Sequence, residues 1–260
     1  MAPDHGGPRK PPAPGDSLPA AERTAGVLWD DPAQPRRGPK PSLSRAAVVA
    51  AGISLADAEG LAALSMQRVA DALGYTKMSL YRYAPGRAEL IALMVEEAVG
   101  PPPDLAAEPP GWRPRLRAWA SALLPRLSAH PWAVEASTGP RVMGPNELAW
   151  LEAGLAAMRG TGLTGAERLD AAVLLLGHVR GIAQQGAAAP GGDGGAGAVE
   201  GELGRVMAGV LRRRGGDFPE AGGAGAAAAA GTGQDRALEF GLERILDGLA
   251  VLVRERTGEG

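Results

Sequence analysis

The sequence predicts an all-α protein with a small N-terminal domain and a larger C-terminal domain. Apolar residues recur at helical spacing along most of the chain, alanine is abundant, and aromatic residues make up only 4% of the composition. Alanine favours helices, whereas β-branched and aromatic residues favour strands, and no run of alternating β-branched residues occurs. With 260 residues and 45% apolar content, the chain is long enough to bury a sizeable core.

The first 41 residues are rich in proline, glycine and charge and contain few large apolar side chains. Such a composition buries too little surface to offset the entropy of ordering, so we expect residues 1–41 to be disordered. The segment leads into a basic arm over residues 36–45 that includes Arg36, Arg37, Lys40 and Arg45. This arm could lie along DNA phosphates or serve only as a solvated linker, and the sequence leaves both readings open.

The stretch from Leu64 to Arg87 predicts two helices joined by a tight turn, and it follows a first helix over about 44–59. Ser65 is positioned to cap the first helix of the pair, and Gly74 stands where a helix ends in the left-handed conformation. Thr76 can cap a second, short helix that ends at Tyr83. This layout is typical of a helix-turn-helix, whose second helix enters the DNA major groove.

A connecting helix is predicted from Arg87 to Val99, where Gly100 and the prolines that follow end it. Residues 42–99 therefore form the predicted DNA-binding domain, and residues 101–256 a helical C-terminal domain. In the latter, Asn146 is a candidate helix cap, Thr164 precedes a strongly apolar helix, and Pro125 is expected to kink or break its helix. The helices predicted there cover 112–129, 146–159, 165–185, 199–213 and 235–254. Gly/Ala-rich linkers are predicted over 186–198 and 215–234.

Several classes of function are disfavoured. The chain has no cysteine, which excludes disulfides, thiol catalysis and cysteine-ligated metals. The three histidines have no metal-ligand spacing, and the glycine pattern at 192–197 follows no predicted strand, so we expect no metal, no cofactor and no enzymatic activity. A helical enzyme without a sequence signature is the alternative. No signal peptide or membrane span is predicted, so a cytoplasmic protein with no membrane partner is expected.

The motif resembles the DNA-binding domain of the TetR family of bacterial transcriptional regulators. The residues that carry the resemblance are Ala70, Leu73, Gly74, Leu80, Tyr81, Tyr83, Arg87 and Leu90. The C-terminal part is similar to the tetracycline-repressor type of domain. That similarity rests on His130-Pro131-Trp132, Gly144-Pro145-Asn146, Leu151 and the run from Gly177 to Gly181.

The resemblance implies which residues contact a double-stranded DNA operator. These are Gln67, Lys77, Met78, Ser79, Tyr81, Arg82, Tyr83 and Arg87. Their chemistry agrees, because Lys can donate to guanine, Met can contact a thymine methyl, Gln can pair with adenine, and Arg, Ser and Tyr can hold phosphates. The alternative is that Tyr75 and part of Tyr81 fill the small core, and that the charged residues form a solvated face.

The resemblance also implies a homodimer, a palindromic operator and a small-molecule effector that releases DNA, which makes a repressor the expected function. Helices 165–185 and 235–254 have the wide apolar faces that dimerisation requires. Candidate ligand-binding residues are Trp119, His130, Trp132, Asn146, Trp150 and His178, with Arg180 and Gln184 as further polar candidates. Ordinary core packing is the alternative for each.

The metal-binding histidine of tetracycline sensors has no match, because the corresponding region reads Ser137, Thr138 and Gly139. We therefore expect a largely hydrophobic effector rather than tetracycline–magnesium. Architectural DNA binding without an effector is the competing function.

Overall fold

The computed structural model describes residues 18–30, 43–187, 195–230 and 237–258. The regular secondary structure in these ranges consists of α-helices and two short 3₁₀ helices, without a strand. The predicted fold class is confirmed. The helices are α1 (Leu18–Trp29), α2 (Arg45–Glu59), α3 (Met66–Leu73), α4 (Lys77–Leu80), α5 (Arg87–Val99), α6 (Trp112–Ala129), α7 (Pro131–Ala136), α8 (Pro145–Ala157), α9 (Gly165–Ala187), α10 (Gly195–Arg214), α11 (Pro219–Ala230) and α12 (Ala237–Thr257).

Helix α1 corrects the prediction that all of residues 1–41 are disordered. Residues 18–29 form a helix that packs against α5 and buries Leu28. The indole N–H of Trp29 donates to the carbonyl of Met143 at 3.0 Å, and Arg45 Nη1 donates to the carbonyl of Val27 at 3.1 Å. The average composition of residues 1–41 does not reveal this helix, because its few apolar residues are buried against α5, which is distant in the sequence. Most of the basic arm lies outside the described residues.

Helices α2 to α5, residues 43–99, form what we call the head. Its core contains the fully buried side chains of Val48, Val69, Leu80, Leu90 and Met94. The caps predicted for α3 are confirmed: the Ser65 hydroxyl accepts from the backbone N–H of Arg68 at 3.2 Å, and Gly74 is left-handed with φ 72°. A residue with a side chain would strain that turn.

The second motif helix is shorter than predicted. Helix α4 ends at Leu80, and the backbone turns through the next residues up to Tyr83. Thr76 makes no side-chain capping bond. Its hydroxyl lies 2.9 Å from that of Ser79 instead. The prediction assumed that the helix continued to Tyr83, but a tight turn after Leu80 also allows both Leu80 and Ala84 to be buried.

Pro125 does not break its helix, and Asn146 does not cap one, so these two local predictions for the C-terminal helices are wrong, whereas a kink at Pro125 stays a prediction. Helix α6 runs without a break through Pro125, whose side chain is exposed while Leu123 and Leu127 are buried. The proline thus lies on the solvent side, where the lost hydrogen bond costs least. Helix α8 is capped by Gly144, not Asn146.

The low-complexity linkers are also partly helical. Helix α10 begins at Gly195, within the predicted linker 186–198, and α11 lies inside the predicted linker 215–234. Alanine has the highest helix propensity, and it outweighs the scattered glycines here. Residues 188–194 and 231–236 of those linkers lie outside the described residues.

The C-terminal part packs around α6, α9 and α12, with Leu116, Leu175, Val179, Leu242 and Leu246 buried between them. Helix α5 leaves the head and also contacts α6, α7 and α8, so one continuous helix belongs to both parts. Across the described ranges, no helix has the length and apolar character needed to cross a bilayer.

Candidate DNA-binding surface and internal cavity

The exposed side of α4 presents the residues expected to read bases. Lys77 and Met78 are exposed, Met78 to 73%, and Ser79 is half-buried beside them. A methionine so exposed makes no contribution to the core of the head. This surface can therefore offer a cationic donor and an apolar group to a DNA groove.

Two basic side chains of the motif lie over tyrosine rings. The Lys77 ammonium is 5.9 Å from the centre of the Tyr81 ring, and the Arg82 guanidinium is 5.6 Å from that of Tyr83. Cation–π contacts of this kind orient long side chains that would otherwise sample many rotamers. They hold two positive charges on one side of the head.

Other predicted DNA contacts already have partners within the chain. The Tyr83 hydroxyl donates to the carbonyl of Leu43 at 2.8 Å, which ties the entry of α2 to the motif. Arg87 donates from Nε to the carbonyl of Leu64 at 2.9 Å and from Nη2 to that of Leu61 at 2.7 Å. Both side chains hold the head together, and a phosphate would meet only the groups that these bonds leave free.

Gln67 is exposed at the start of α3, and its amide nitrogen donates to Asp71 at 2.7 Å. The pair lies one helical turn apart, which is the spacing at which such side chains meet. This bond uses one of the two amide N–H donors, so a base edge could still meet the other N–H and the amide oxygen. The predicted DNA role of Gln67 stays a prediction.

A cavity of about 390 Å³, partly open to solvent, lies between the end of α5, helices α6, α8 and α9, and the loop around residues 137–143. Its wall is mostly apolar. The apolar residues that define it include Val99, Trp119, Leu123, Leu127, Trp150 and Leu176. Four polar residues reach it: Ser137, Arg141, Glu147 and Arg180.

Two of the predicted ligand residues, Trp119 and Trp150, line this cavity. Their rings pack edge to face with centroids 6.0 Å apart. Both indole N–H groups are already used, since Trp119 donates to the carbonyl of Trp150 at 2.8 Å and Trp150 to that of Gly100 at 3.0 Å. A ligand would meet their ring surfaces rather than their donors.

The predicted ligand residues His130 and Trp132 are not among the residues that line this cavity, and their ligand-binding role stays a prediction. The Trp132 indole N–H donates to Asp57 Oδ1 at 2.6 Å, and His130 Nδ1 lies 2.8 Å from the same oxygen. Asp57 belongs to α2. The histidine and tryptophan therefore connect the C-terminal part to the head.

Asn146 and His178 are likewise absent from the cavity wall. The backbone N–H of Asn146 donates to Glu96 Oε1 at 2.5 Å, and its side-chain amide donates to the Glu96 carbonyl at 3.1 Å. His178 Nε2 lies 2.9 Å from the carbonyl of Leu238, which links α9 to α12. Gln184 is exposed. Sequence periodicity could not show whether these residues face the cavity or another helix, because each of the contacts joins segments that are distant in the sequence.

The polar side of the cavity combines an ion pair with a single arginine. Arg141 Nη1 donates to Glu147 Oε2 at 2.6 Å, and this glutamate is only 8% exposed. Arg180 has no hydrogen-bond or ion-pair partner among the described residues, and its Nε is buried. Burial lowers the pKa of the Arg180 guanidinium, the charge of Arg141 lowers it further, and Glu147 opposes both effects.

The sequence analysis missed Ser137, Arg141 and Glu147. Only Arg180 carried a signal, because it is a charged residue one turn after Leu176, at the end of the apolar run of this helix. Within the described ranges, no three His, Asp or Glu residues come close enough to hold a metal ion.

Comparison with known families gives two matches. Residues 48–94 match the model of bacterial regulatory proteins of the tetR family, and residues 105–253 match the tetracyclin repressor-like C-terminal domain. Together they span the head and most of the C-terminal part.

Individual relatives agree. The HTH-type transcriptional repressor DrrR1 of Streptomyces coeruleorubidus is 38% identical over 248 residues, which cover 91% of this chain and 88% of that protein. ActR of Streptomyces coelicolor in complex with (S)-DNPA has a TM-score of 0.66 at 25% identity, covering 81% of this chain and 98% of ActR. The structure of ActR in complex with actinorhodin has a TM-score of 0.64 at 26% identity, covering 82% of this chain and 97% of ActR. From the motif geometry, both family matches and these relatives, the chain belongs to the TetR family of transcriptional regulators.

Proposed function

We propose that this protein is a repressor that binds a palindromic operator as a homodimer and is released from it by a small hydrophobic effector. The observation that carries the proposal is the position of Val99. It is the last residue of α5 and part of the cavity wall, while Leu90, earlier in the same helix, is buried in the head. Occupancy of the cavity therefore acts directly on a helix of the DNA-binding head.

The cavity has the properties of a small-molecule site. Its volume of about 390 Å³ falls in the range of ligand pockets, which are mostly apolar with a few polar groups. Trp150 also joins the wall to the carbonyl of Gly100, just after α5. A ligand that moves Trp150 would shift the end of α5, and it would favour whichever head position it binds more tightly.

The relatives support both parts of the proposal. DrrR1 is described as a repressor, and ActR has been crystallised with (S)-DNPA and with actinorhodin. By analogy, we assign to this chain repression and control by a bound organic molecule.

The DNA-binding role rests on the exposed start of α4. Lys77, Met78 and Ser79 have side chains available to base edges, and Arg82 can supply a phosphate contact. Because Tyr83 and Arg87 hold the head together, we assign them a smaller share of the DNA contact than the other residues.

Dimerisation is supported by apolar side chains that α9 and α12 leave exposed. Val173 and Leu174 are 58% and 54% exposed, and Phe240 and Val251 are 68% and 47% exposed. Large apolar side chains exposed on two helices that pack together favour a surface that a partner covers. A twofold dimer would present two copies of α4, and the operator would then be a palindrome.

The test is selection of bound fragments from a random double-stranded DNA pool, followed by screening of apolar compounds for release of the selected fragment. Enrichment of a palindrome and its release by a compound that binds the cavity would support the proposal. Weak sequence preference with no response to any compound would contradict it and would favour the architectural alternative. Half-site enrichment by a monomer would contradict the dimer alone.

A further inference from the structure

We propose that the cavity selects effectors that carry an anionic group on an apolar body, and that Arg180 binds this group. The inference rests on the proposed function, because it names the chemical class that the same cavity takes. Arg180 lies on α9, one turn after Leu176 and two turns after Val173, and all three side chains line the cavity. The guanidinium therefore sits among the apolar wall residues.

The charges around the cavity are only partly balanced by opposite charges. Arg141 is paired with Glu147 through two hydrogen bonds, so those two charges cancel locally. Glu96 lies close to Glu147, but its carboxylate accepts from the backbone of Asn146 and does not line the cavity. One positive charge, that of Arg180, is left without a partner among the described residues.

A charged guanidinium taken out of water costs free energy unless a hydrogen-bonding partner or an opposite charge offsets the loss. A neutral apolar ligand would remove still more water from Arg180 and supply nothing in return. A carboxylate, sulfonate or phenolate would form charge-assisted hydrogen bonds, which are the strong ones and which arginine makes in a bidentate geometry.

The competing explanation is that Arg180 only directs its head toward bulk water along an apolar stem. Its Nε atom is buried and unbonded, so at least this part of the guanidinium is out of water without a hydrogen-bond acceptor. The two tryptophans of the wall offer no competing donors, since both indole N–H groups are already used. Arg180 is therefore the one charged residue of the cavity wall, among those described, that has no ion-pair partner.

The test uses two fluorescent probes that share an aromatic body and differ in charge. These are 8-anilinonaphthalene-1-sulfonate, which is anionic, and N-phenyl-1-naphthylamine, which is neutral. Binding of each to the full-length protein without DNA is titrated for the wild type, Arg180→Met and Arg180→Lys. We expect the sulfonate to bind the wild type, and we expect Arg180→Met to raise its dissociation constant about tenfold or more. The dissociation constant of the neutral probe should stay the same or fall. Arg180→Lys should restore part of the loss.

Arg168→Met is the matched control. Arg168 lies on the same helix and also has a buried, unbonded Nε, but it is not part of the wall of this cavity. Circular dichroism and thermal melts confirm that each variant is folded, because the sulfonate also binds partly unfolded chains.

Several outcomes would overturn the inference. They are no sulfonate binding by the wild type, equal weakening of both probes in Arg180→Met, and an equal effect of Arg168→Met. The proposed function fails separately. If binding of the sulfonate requires Arg180 but no anionic compound releases operator DNA, the anion site stands and the regulatory role does not.

Discussion

The indole N–H of Trp132 donates to the carboxylate of Asp57 at 2.6 Å, across the boundary between the C-terminal part and the head. Trp132 is 4% exposed and lies at the start of α7, whereas Asp57 lies near the end of α2. A strong, partly buried hydrogen bond at this place ties the orientation of α2 to a helix that also packs on α9.

Two further bonds reinforce the same boundary. Glu96 of α5 is held by the backbone of Asn146, and the carbonyl of Gly100 accepts from Trp150. Burial raises the pKa of the Glu96 carboxyl, although the bond from Asn146 opposes that rise. These contacts join α5 and Gly100 to α8, so under the proposed function they can carry a ligand signal to the head.

Replacing Asp57 with Ala should lower the free energy of unfolding by about 1–3 kcal/mol, because the buried indole N–H of Trp132 loses its acceptor. The measurement is chemical denaturation followed by circular dichroism. Glu97→Ala is the control, since Glu97 is exposed on α5 and has no recorded partner in the described structure. Equal stability of Asp57→Ala and the wild type would mean that the bond contributes nothing.

Much of the fold could be predicted from sequence because its determinants are local. Ser65, Gly74 and Gly100 mark the helix ends that the structure contains, and Thr164 precedes α9 as predicted. Thr164 and Glu167 also satisfy each other's backbone N–H groups at the start of that helix. Such signals act within one turn, so a single sequence contains them.

The site was less predictable because its determinants are not local. Trp119, Trp132, Trp150 and His178 all looked alike as apolar residues with a polar tip at helical spacing. The structure separates them by their partners, which lie 31 to 75 residues away in the sequence. Helix α1 escaped prediction for the same reason, because its stabilising contacts are with α5.

Lys77→Ala and Arg82→Ala should weaken operator binding in different ways. Loss of a base contact at Lys77 should cost about 1–3 kcal/mol and relax the sequence preference at one position. Loss of a phosphate contact at Arg82 should weaken binding to all sequences and reduce the salt slope by about 1. The measurement is fluorescence anisotropy with the selected operator and single-base variants at several salt concentrations.

Arg159→Ala is the control for both, because Arg159 is exposed in the turn after α8 and paired with Glu152, far along the chain from the motif. Unchanged binding of Lys77→Ala at fixed salt would show that α4 has been wrongly assigned as the recognition helix.

Leu174→Glu combined with Phe240→Glu should convert the protein to monomers. Both side chains are more than half exposed on the helices proposed to pair, and burying two new charges per protomer in that interface is costly. The molar mass from light scattering at micromolar concentration checks this. Phe218→Glu is the control, since Phe218 is 56% exposed but precedes α11. A dimer of the double variant would place the interface elsewhere.

Gly241→Ala should destabilise the protein by about 1 kcal/mol or more, although alanine is the better helix former by about the same amount. A Cβ at Gly241 would overlap the His178 ring, so that ring must move and release the Leu238 carbonyl. Thermal melts at fixed protein concentration measure the change. Gly223→Ala, where a Cβ would meet nothing within 4 Å, should cause no loss. Equal melting of both variants would show that the ring adjusts freely.

Glu167 joins the start of α9 to Arg256 near the end of α12, and this contact should make part of the stability depend on acid pH. The bond from Arg256, together with those from Thr164, lowers the pKa of the Glu167 carboxyl to about 2. A carboxyl with a lowered pKa in the folded state stabilises it above the ordinary glutamate pKa of about 4.3, and that contribution disappears as pH falls from there to about 2. Glu167→Gln should therefore be less stable than the wild type at neutral pH, and the difference should vanish near pH 2.

The pair is solvent-exposed, so the difference should be small and should shrink with added salt. Denaturation midpoints from pH 7 down to pH 2, at low and high salt, measure it. Glu220→Gln is the matched control, because Glu220 occupies the first turn of α11 without a recorded ion-pair partner in the described structure. A Glu167→Gln curve parallel to that of the wild type through this whole range would show that Arg256 does not hold the carboxylate in solution, and that α9 and α12 are joined by their apolar faces and the His178 contact alone.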